Sequence, residues 1–188
     1  EDKKLWYYMH NKKVSFKSFT VYGYSNIPPT PFIFKDWERY DVSRYVDPGC
    51  IHPTEGKRSV KENIDLEYTT IQGDLSNLTG DDRLEKAIFL FHSPPYQTNL
   101  DRAALDGQKV DHVPLDVHVG SIAIQRFIEQ KQPLLTLHGH IHESSRIMGD
   151  WKEKSGRTWM FTAAYEFPNL AVLKFNLDHL DQAERIII

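Results

Sequence analysis

An α/β fold is predicted, and three observations predict it. Two short apolar runs, Ala-Ile-Phe-Leu-Phe at residues 87–91 and Leu-Leu-Thr-Leu at 134–137, have the length and character of buried strands bounded by breakers. Between them Ile124, Phe127 and Ile128 share one helical face, Ser121 stands at the N-cap position, and Pro133 stops the pattern. Strand, helix, strand is the unit whose right-handed crossover sets its two strands parallel. Third, each strand runs into histidine at its carboxyl end. His92 follows the first, and His138-Gly139-His140-Ile141-His142 closes the second. Carboxyl ends of strands in open α/β sheets are where ligands gather.

The remaining elements follow in chain order. Residues 5–10, with Trp6, Tyr7 and Tyr8, form an aromatic opening, expected to be buried if chain precedes it and partly exposed otherwise. Residues 14–24 alternate loosely through Val14, Phe16, Phe19 and Val21, which predicts one or two strands. Pro28, Pro29 and Pro31 force an extended loop. Lys35-Asp36-Trp37-Glu38-Arg39 is expected to be a solvated turn around a packed tryptophan, or a loop facing a substrate. Residues 40–59 are irregular, with His52 expected on a mobile surface loop or, alternatively, reaching a substrate phosphate; Arg39, Arg44, Lys57 and Arg58 offer guanidinium and ammonium charge suited to phosphate. A helix is predicted over residues 64–78 from Ile71, Leu75 and Leu78, with Gly73 as an interruption. Residues 94–119 lack periodicity, and so long an irregular loop in a compact domain is usually functional or disordered. Residues 158–163 and 169–175 read as strands, and Ile186-Ile187-Ile188 is apolar and β-prone, wanting a partner.

Composition sets limits on function. At 188 residues the chain has the length of one domain able to bury about 70% of its unfolded surface. A net charge of −3 gives no general pull toward nucleic acid or anionic membrane. No run approaches the roughly 18 apolar residues that span a bilayer. The single cysteine, Cys50, makes no internal disulfide, which fits a cytoplasmic setting. Nothing in the sequence fixes an oligomeric state.

The chemistry concentrates in the histidines. Neutral imidazole is the commonest protein ligand for transition metals. His140 and His142 are two apart, so on a strand they point one way, while on a tight loop they straddle a pair of ions. Gly139 removes a Cβ where backbone must come close to a ligand. If the two strands are near neighbours, His92 shares their rim.

At this point the residues carry a resemblance. Phe91-His92-Ser93-Pro94-Pro95 followed by Gly139-His140-Ile141-His142 resembles the last two motifs of the calcineurin-like metallophosphoesterases, over residues 22–175. That family carries D-x-H, G-D-x-x-D, G-N-[HD], a lone H and G-H-x-H in order. The resemblance implies a partial metallophosphoesterase-type β-sandwich flanked by helices, with a two-metal site at the strand tips. It implies that His92 and His140 bind one metal and His142 the other, and that the cofactors are two divalent transition metals (Mn, Fe, Zn or Ni). It further implies a phosphatase or phosphodiesterase acting on a phosphoester substrate with metal-activated water. His118, Ser121 and Glu143 are candidate substrate-facing or ligand-orienting residues. For Ser121, two readings stand: a plain helix cap, or a helix start whose N–H groups bind phosphate.

The departure lies upstream of His92. Gly73-Asp74 leads to Asn77, and Gly80-Asp81 to Leu84; Gly149-Asp150 and Asp116-Val117-His118 fall out of order; no Gly-Asn pair exists. The missing motifs would hold both carboxylate ligands and the leaving-group acid. The expectation is therefore one metallophosphoesterase-like domain over residues 1–188 that lacks its leading strands, active only when those motifs are present. The alternative is a non-catalytic fragment or binding scaffold that keeps the fold.

Overall fold

The computed structural model describes residues 6–60 and 65–188. Residues 12–24 form two strands joined as a hairpin, β1 (Lys12–Phe16) and β2 (Phe19–Tyr24), turning through Lys17 at φ 55°. Helix α1 (Ile71–Thr79) follows, then β3 (Ala87–Phe91), a two-strand ribbon of β4 (Lys109–Val110) and β5 (Val113–Pro114), and helix α2 (Ile122–Lys131). After these come β6 (Leu135–His138), the short helix α3 (Ser144–Met148), β7 (Lys152–Ser155), β8 (Thr158–Thr162), β9 (Ala171–Asn176) and β10 (His179–Ile187). The result is a mixed α/β fold with few helices. Six strands form one sheet in the order β1-β2-β3-β6-β8-β7, parallel from β2 through β8 and antiparallel at both edges. Among the described residues no helix is long and apolar enough to cross a membrane.

Period-two alternation builds two cores from one sheet. Tyr22, Tyr24, Phe89, Phe91 and Met160 face α1 and α2, meeting Ile71, Leu75, Ile124, Phe127 and Ile128. Ile88, Leu135 and Phe161 face the other way, onto Leu180 and Ala183 of the β9–β10 hairpin, with Val21, Leu137 and Trp159 beside them. Tyr22 and Phe89 stack at 4.7 Å, and Phe127 meets Phe89 edge-on at 5.0 Å. The terminal Ile186 and Ile187 find their partner strand, pairing with Val172 and Ala171.

Several elements differ from expectation for identifiable reasons. Helix α1 begins at Ile71 because Thr70 caps it, its side chain accepting from Gly73 N at 3.0 Å; Gly73 sits in the first turn and does not break it. Residues 65–70 precede the helix as turn and bridge, and Ile64 lies outside the described residues. Trp6, Tyr7 and Tyr8 are exposed, and Leu5 lies outside the described residues. The 35–39 cluster inverts its expected pattern: Lys35 and Glu38 are buried and Trp37 is 47% exposed. Lys35 Nζ donates to Glu38 at 2.6 Å and to the Thr30 carbonyl at 2.7 Å. Glu38 also accepts from Thr30 N and Oγ1. The Lys35 and Glu38 charges are compensated by each other and by Thr30, the condition under which a buried ion pair is tolerated. The proline-rich loop thus closes on an ionic centre.

Candidate functional site: a histidine rim at the strand tips

Strands β3 and β6 are direct parallel neighbours, with Ile88, Phe89 and Leu90 opposite Leu135, Thr136 and Leu137. The ladder continues one residue past their ends. His92 N donates to the Tyr24 carbonyl at 3.2 Å and Gly139 N to the His92 carbonyl at 3.0 Å. His92 is thereby fixed at the rim between β2 and β6. The chain then leaves the strand abruptly, because His140 adopts φ 70°, a left-handed conformation uncommon outside glycine. Such backbone strain gathers at functional sites.

These two facts bring the rings of His92 and His140 to 5.0 Å between centroids. His142 lies near enough for its charge to depress both. Among the described residues, no hydrogen bond joins any of the three rings to another protein group. Burial, then the charges of His92 and His142, pushes the His140 pKa down to about 4. His92 is exposed as a residue, yet desolvation still lowers its pKa, with the His142 charge second. Both rings are held in the neutral form that coordinates metal. A Cβ on Gly139 would lie 3.5 Å from His92 Nδ1, so glycine keeps that nitrogen's surroundings open.

His138, two residues from His140, has the opposite fate. It is 5% exposed and stacks on Phe91 at 5.6 Å. The Ser93 carbonyl, 2.9 Å away, only accepts, so Nδ1 carries the proton; Nε2 then accepts from the Thr136 hydroxyl at 2.7 Å. Burial pushes its pKa down to about 4, opposed by the Ser93 bond. His138 is a satisfied core residue that ties β6 to the segment leaving His92.

The other candidates are engaged with partners of their own. Ser121 caps α2, accepting from Ile124 N at 3.0 Å, and the helix start is already occupied by the chain's own anion. Asp41 accepts from Ser121 Oγ at 2.5 Å and Ile122 N at 2.7 Å, and also from Ala123 N. The N–H groups expected for phosphate are spent on this carboxylate, whose own pKa burial raises. Glu143 accepts from Ala104 N at 3.1 Å, and Ser144 Oγ donates to the Ile141 carbonyl, so neither orients a rim imidazole. His118 Nδ1 lies 2.7 Å from Asp101. His52 pairs with the Tyr40 hydroxyl at 3.1 Å, and Arg39 Nη1 and Arg58 Nη2 both donate to the Glu38 carbonyl.

Sequence reading assigned no role to two carboxylates that organise these loops, Asp41 and Asp101. Asp101 is fully buried and accepts from Gln97 N, Thr98 N and Gly120 N at 2.9–3.1 Å as well as facing His118. The signal available was an aspartate three residues beyond Thr98 in a segment with no periodicity, where short polar side chains satisfy backbone N–H groups.

The rim fits part of a metal site. Three imidazoles with no protein partner and an open approach at His92 suit nitrogen coordination. Among the described residues, however, no group of three or more His, Cys, Asp or Glu side chains is arranged to hold a metal ion. What converges is a pair with a third ring nearby, and no carboxylate belongs to it.

Family models and curated proteins yield no match to the chain. Two solved structures are similar in backbone. One is 14% identical, with a TM-score of 0.48 over 96% of this chain and 52% of its own. The other, the crystal structure of TT1561 of Thermus thermophilus, is 15% identical, with a TM-score of 0.46 over 95% of this chain and 58% of its own. The chain spans just over half the length of these two structures. Neither similarity carries a function to it.

Proposed function

We propose that the chain contributes the imidazole side of a metallophosphoesterase site, a hydrolase acting on phosphate mono- or diesters. In this reading His92 and His140 hold one divalent transition metal (Mn, Fe, Zn or Ni), and His142 is presented to a second. The anionic ligands are ones these 188 residues do not contribute. A bound metal pair would supply a water of lowered pKa and charge to balance the phosphoryl oxygens. The chain's own residues hold and orient. The β3–β6 ladder and the left-handed turn at His140 together set the separation of His92 and His140, and Gly139 keeps the approach open. The β9–β10 hairpin on the second face of the sheet supports a partial two-sheet sandwich as the frame. The working compartment is the cytoplasm, supported by the lone, half-buried Cys50, whose thiol burial pushes up to about 11.

One observation carries this reading: two desolvated, otherwise unpartnered imidazoles 5.0 Å apart at the tips of adjacent parallel strands. The test uses full-length protein loaded with Mn²⁺ or Zn²⁺. Metal content and hydrolysis of 4-nitrophenyl phosphate and bis-(4-nitrophenyl) phosphate are expected together, and His140→Ala should abolish both. Metal-loaded protein that cleaves neither ester would refute the assignment. A second reading, a non-catalytic scaffold retaining the fold, is favoured by the lack of a complete three-donor group among the described residues. It predicts neither stoichiometric metal nor turnover.

A further inference from the structure

The sheet face opposite the β9–β10 hairpin carries α1 and α2, and the two helices do not close on each other. Both begin at Asp41. Gln72 N donates to the Asp41 carbonyl at 3.2 Å, and the Asp41 carboxylate accepts from Ile122 N and Ala123 N. The helices therefore run side by side in the same direction. Farther along, the small residues Ser76 and Ala123 line the gap, which opens into a recess of about 250 Å³. Its floor is the apolar core at Leu75 and Phe127, both buried.

Polar side chains form the walls, Gln72 from α1 and Arg126, Gln130 and Lys131 from α2. Elsewhere these helices and their caps engage such groups within the chain. Asp74 accepts from the Tyr24 hydroxyl, Gln125 donates to Glu129, and Gln132 bonds the Ile128 carbonyl and Arg157 N. Among the described residues, by contrast, no hydrogen bond or ion pair engages the side chains of Gln72, Ser76, Arg126, Gln130 or Lys131. Both charges in the lining are positive. Arg126 is close enough to Asp41 to oppose the rise in its pKa but makes no ion pair with it; Ser121 and two backbone N–H groups already hold that carboxylate.

We propose that the α1–α2 recess is a binding site for a small hydroxylated oxyanion, a phosphate or carboxylate, sharing no residue with the histidine rim. The Arg126 guanidinium is a planar fork that meets either anion through two parallel bonds. It stands in the middle of α2, away from the helix's carbonyl end, which disfavours anions, and Lys131 offsets that end. Gln72, Ser76 and Gln130 supply amide and hydroxyl groups able to donate to and accept from ligand hydroxyls. The volume lies below the roughly 300–1,000 Å³ of ordinary ligand pockets, which limits the occupant to a few carbon atoms. A net charge of −3 gives the chain no general attraction for anions, so capture here depends on the local cations. The site does not depend on the phosphoesterase reading and stands if that reading falls.

The test titrates full-length protein, stripped of metal with EDTA and then of EDTA by dialysis, with glycerol 3-phosphate, glycerate and glycerol. Amide NMR shifts report where each binds. Saturable shifts at Ala123 and at the Gln72 and Gln130 side chains are expected with one or both anions, and none with glycerol. Arg126→Gln removes the fork and should weaken that binding by about tenfold or more, the loss of a charge-assisted bond. Lys109→Gln makes the same charge change on exposed β4 and should alter it by less than about twofold. No saturable shift with either anion, glycerol binding as well as they do, or equal losses in the two variants would each overturn the site. Should Arg126→Gln fail to fold, Gln130→Glu decides: a carboxylate added to the wall should abolish anion binding, and undiminished binding refutes the assignment.

Discussion

Three residues separate His138 from His142, and across them the chain moves from core to rim. His138 is locked by a carbonyl and a hydroxyl, whereas His140 and His142 meet no protein partner among the described residues. Because burial lowers the folded pKa of His138 to about 4 from an ordinary 6.5, its neutral form belongs to the folded state. Its contribution is fully present above about pH 6.5 and is lost as pH falls toward 4, since the unfolded chain takes up the proton first. The stake is on the order of 3 kcal/mol. Urea unfolding of wild type and His138→Gln between pH 7 and 4.5 should show a steeper fall for wild type; parallel curves would place the titration elsewhere. Lys35 and Glu38 offer a second residue-scale case. Lys35→Met leaves a buried carboxylate without its cation and should cost about 3–5 kcal/mol by the same measurement. The sequence displayed these charges around Trp37 but not their burial, because local pattern assigns charge to solvent. The compensation comes from Thr30, five residues before Lys35 and across the proline turn.

At the scale of elements, α2 shows what sequence supplies and what it withholds. Its apolar face and Ser121 cap are legible locally, since Ala123, Ile124, Phe127 and Ile128 are buried as the spacing requires. Asp41 is not legible, being 80 residues from Ser121 and inside the least regular stretch of the chain. Asp41→Ala should remove both the capping charge and its bonds to Ile122 and Ala123, costing about 1–2 kcal/mol in thermal or denaturant unfolding. Inorganic phosphate should not protect wild-type α2 in hydrogen exchange, because the helix start is occupied; protection of Ile122 and Ala123 would reverse that conclusion. The 94–119 segment had no periodicity to read. Its order comes from Asp101 gathering distant N–H groups and from the β4–β5 ribbon, whose turn uses Asp111 and His112 at positive φ.

Across the whole molecule, the apolar runs at 87–91 and 134–137 were legible as buried strands, and the helix between β3 and β6 implied their parallel direction, whereas which face each residue meets was not legible in such continuous runs. Strand order and the antiparallel edges were not legible, since the four polar residues of β7 carry no apolar signal. Most of β10 was likewise missed; only its isoleucines stood out, while Leu180 and Ala183, the residues that close the second core, sit among charges. Leu180→Ala should therefore cost about 2–4 kcal/mol despite its place near the end of the chain, and a loss under about 1 kcal/mol in urea would show the hairpin to be dispensable.

His92 stands one residue past β3 and opposite Gly139, so His140 lies beyond the last rung of the ladder, and its ring comes to 5.0 Å from that of His92 through the left-handed turn. The gap between the two rings is hence set by that turn and by the side-chain torsions as well as by the strand spacing of about 4.8 Å. A substitution that lets residue 140 relax toward the extended region should therefore move that side chain off the rim while the β3–β6 ladder stays intact.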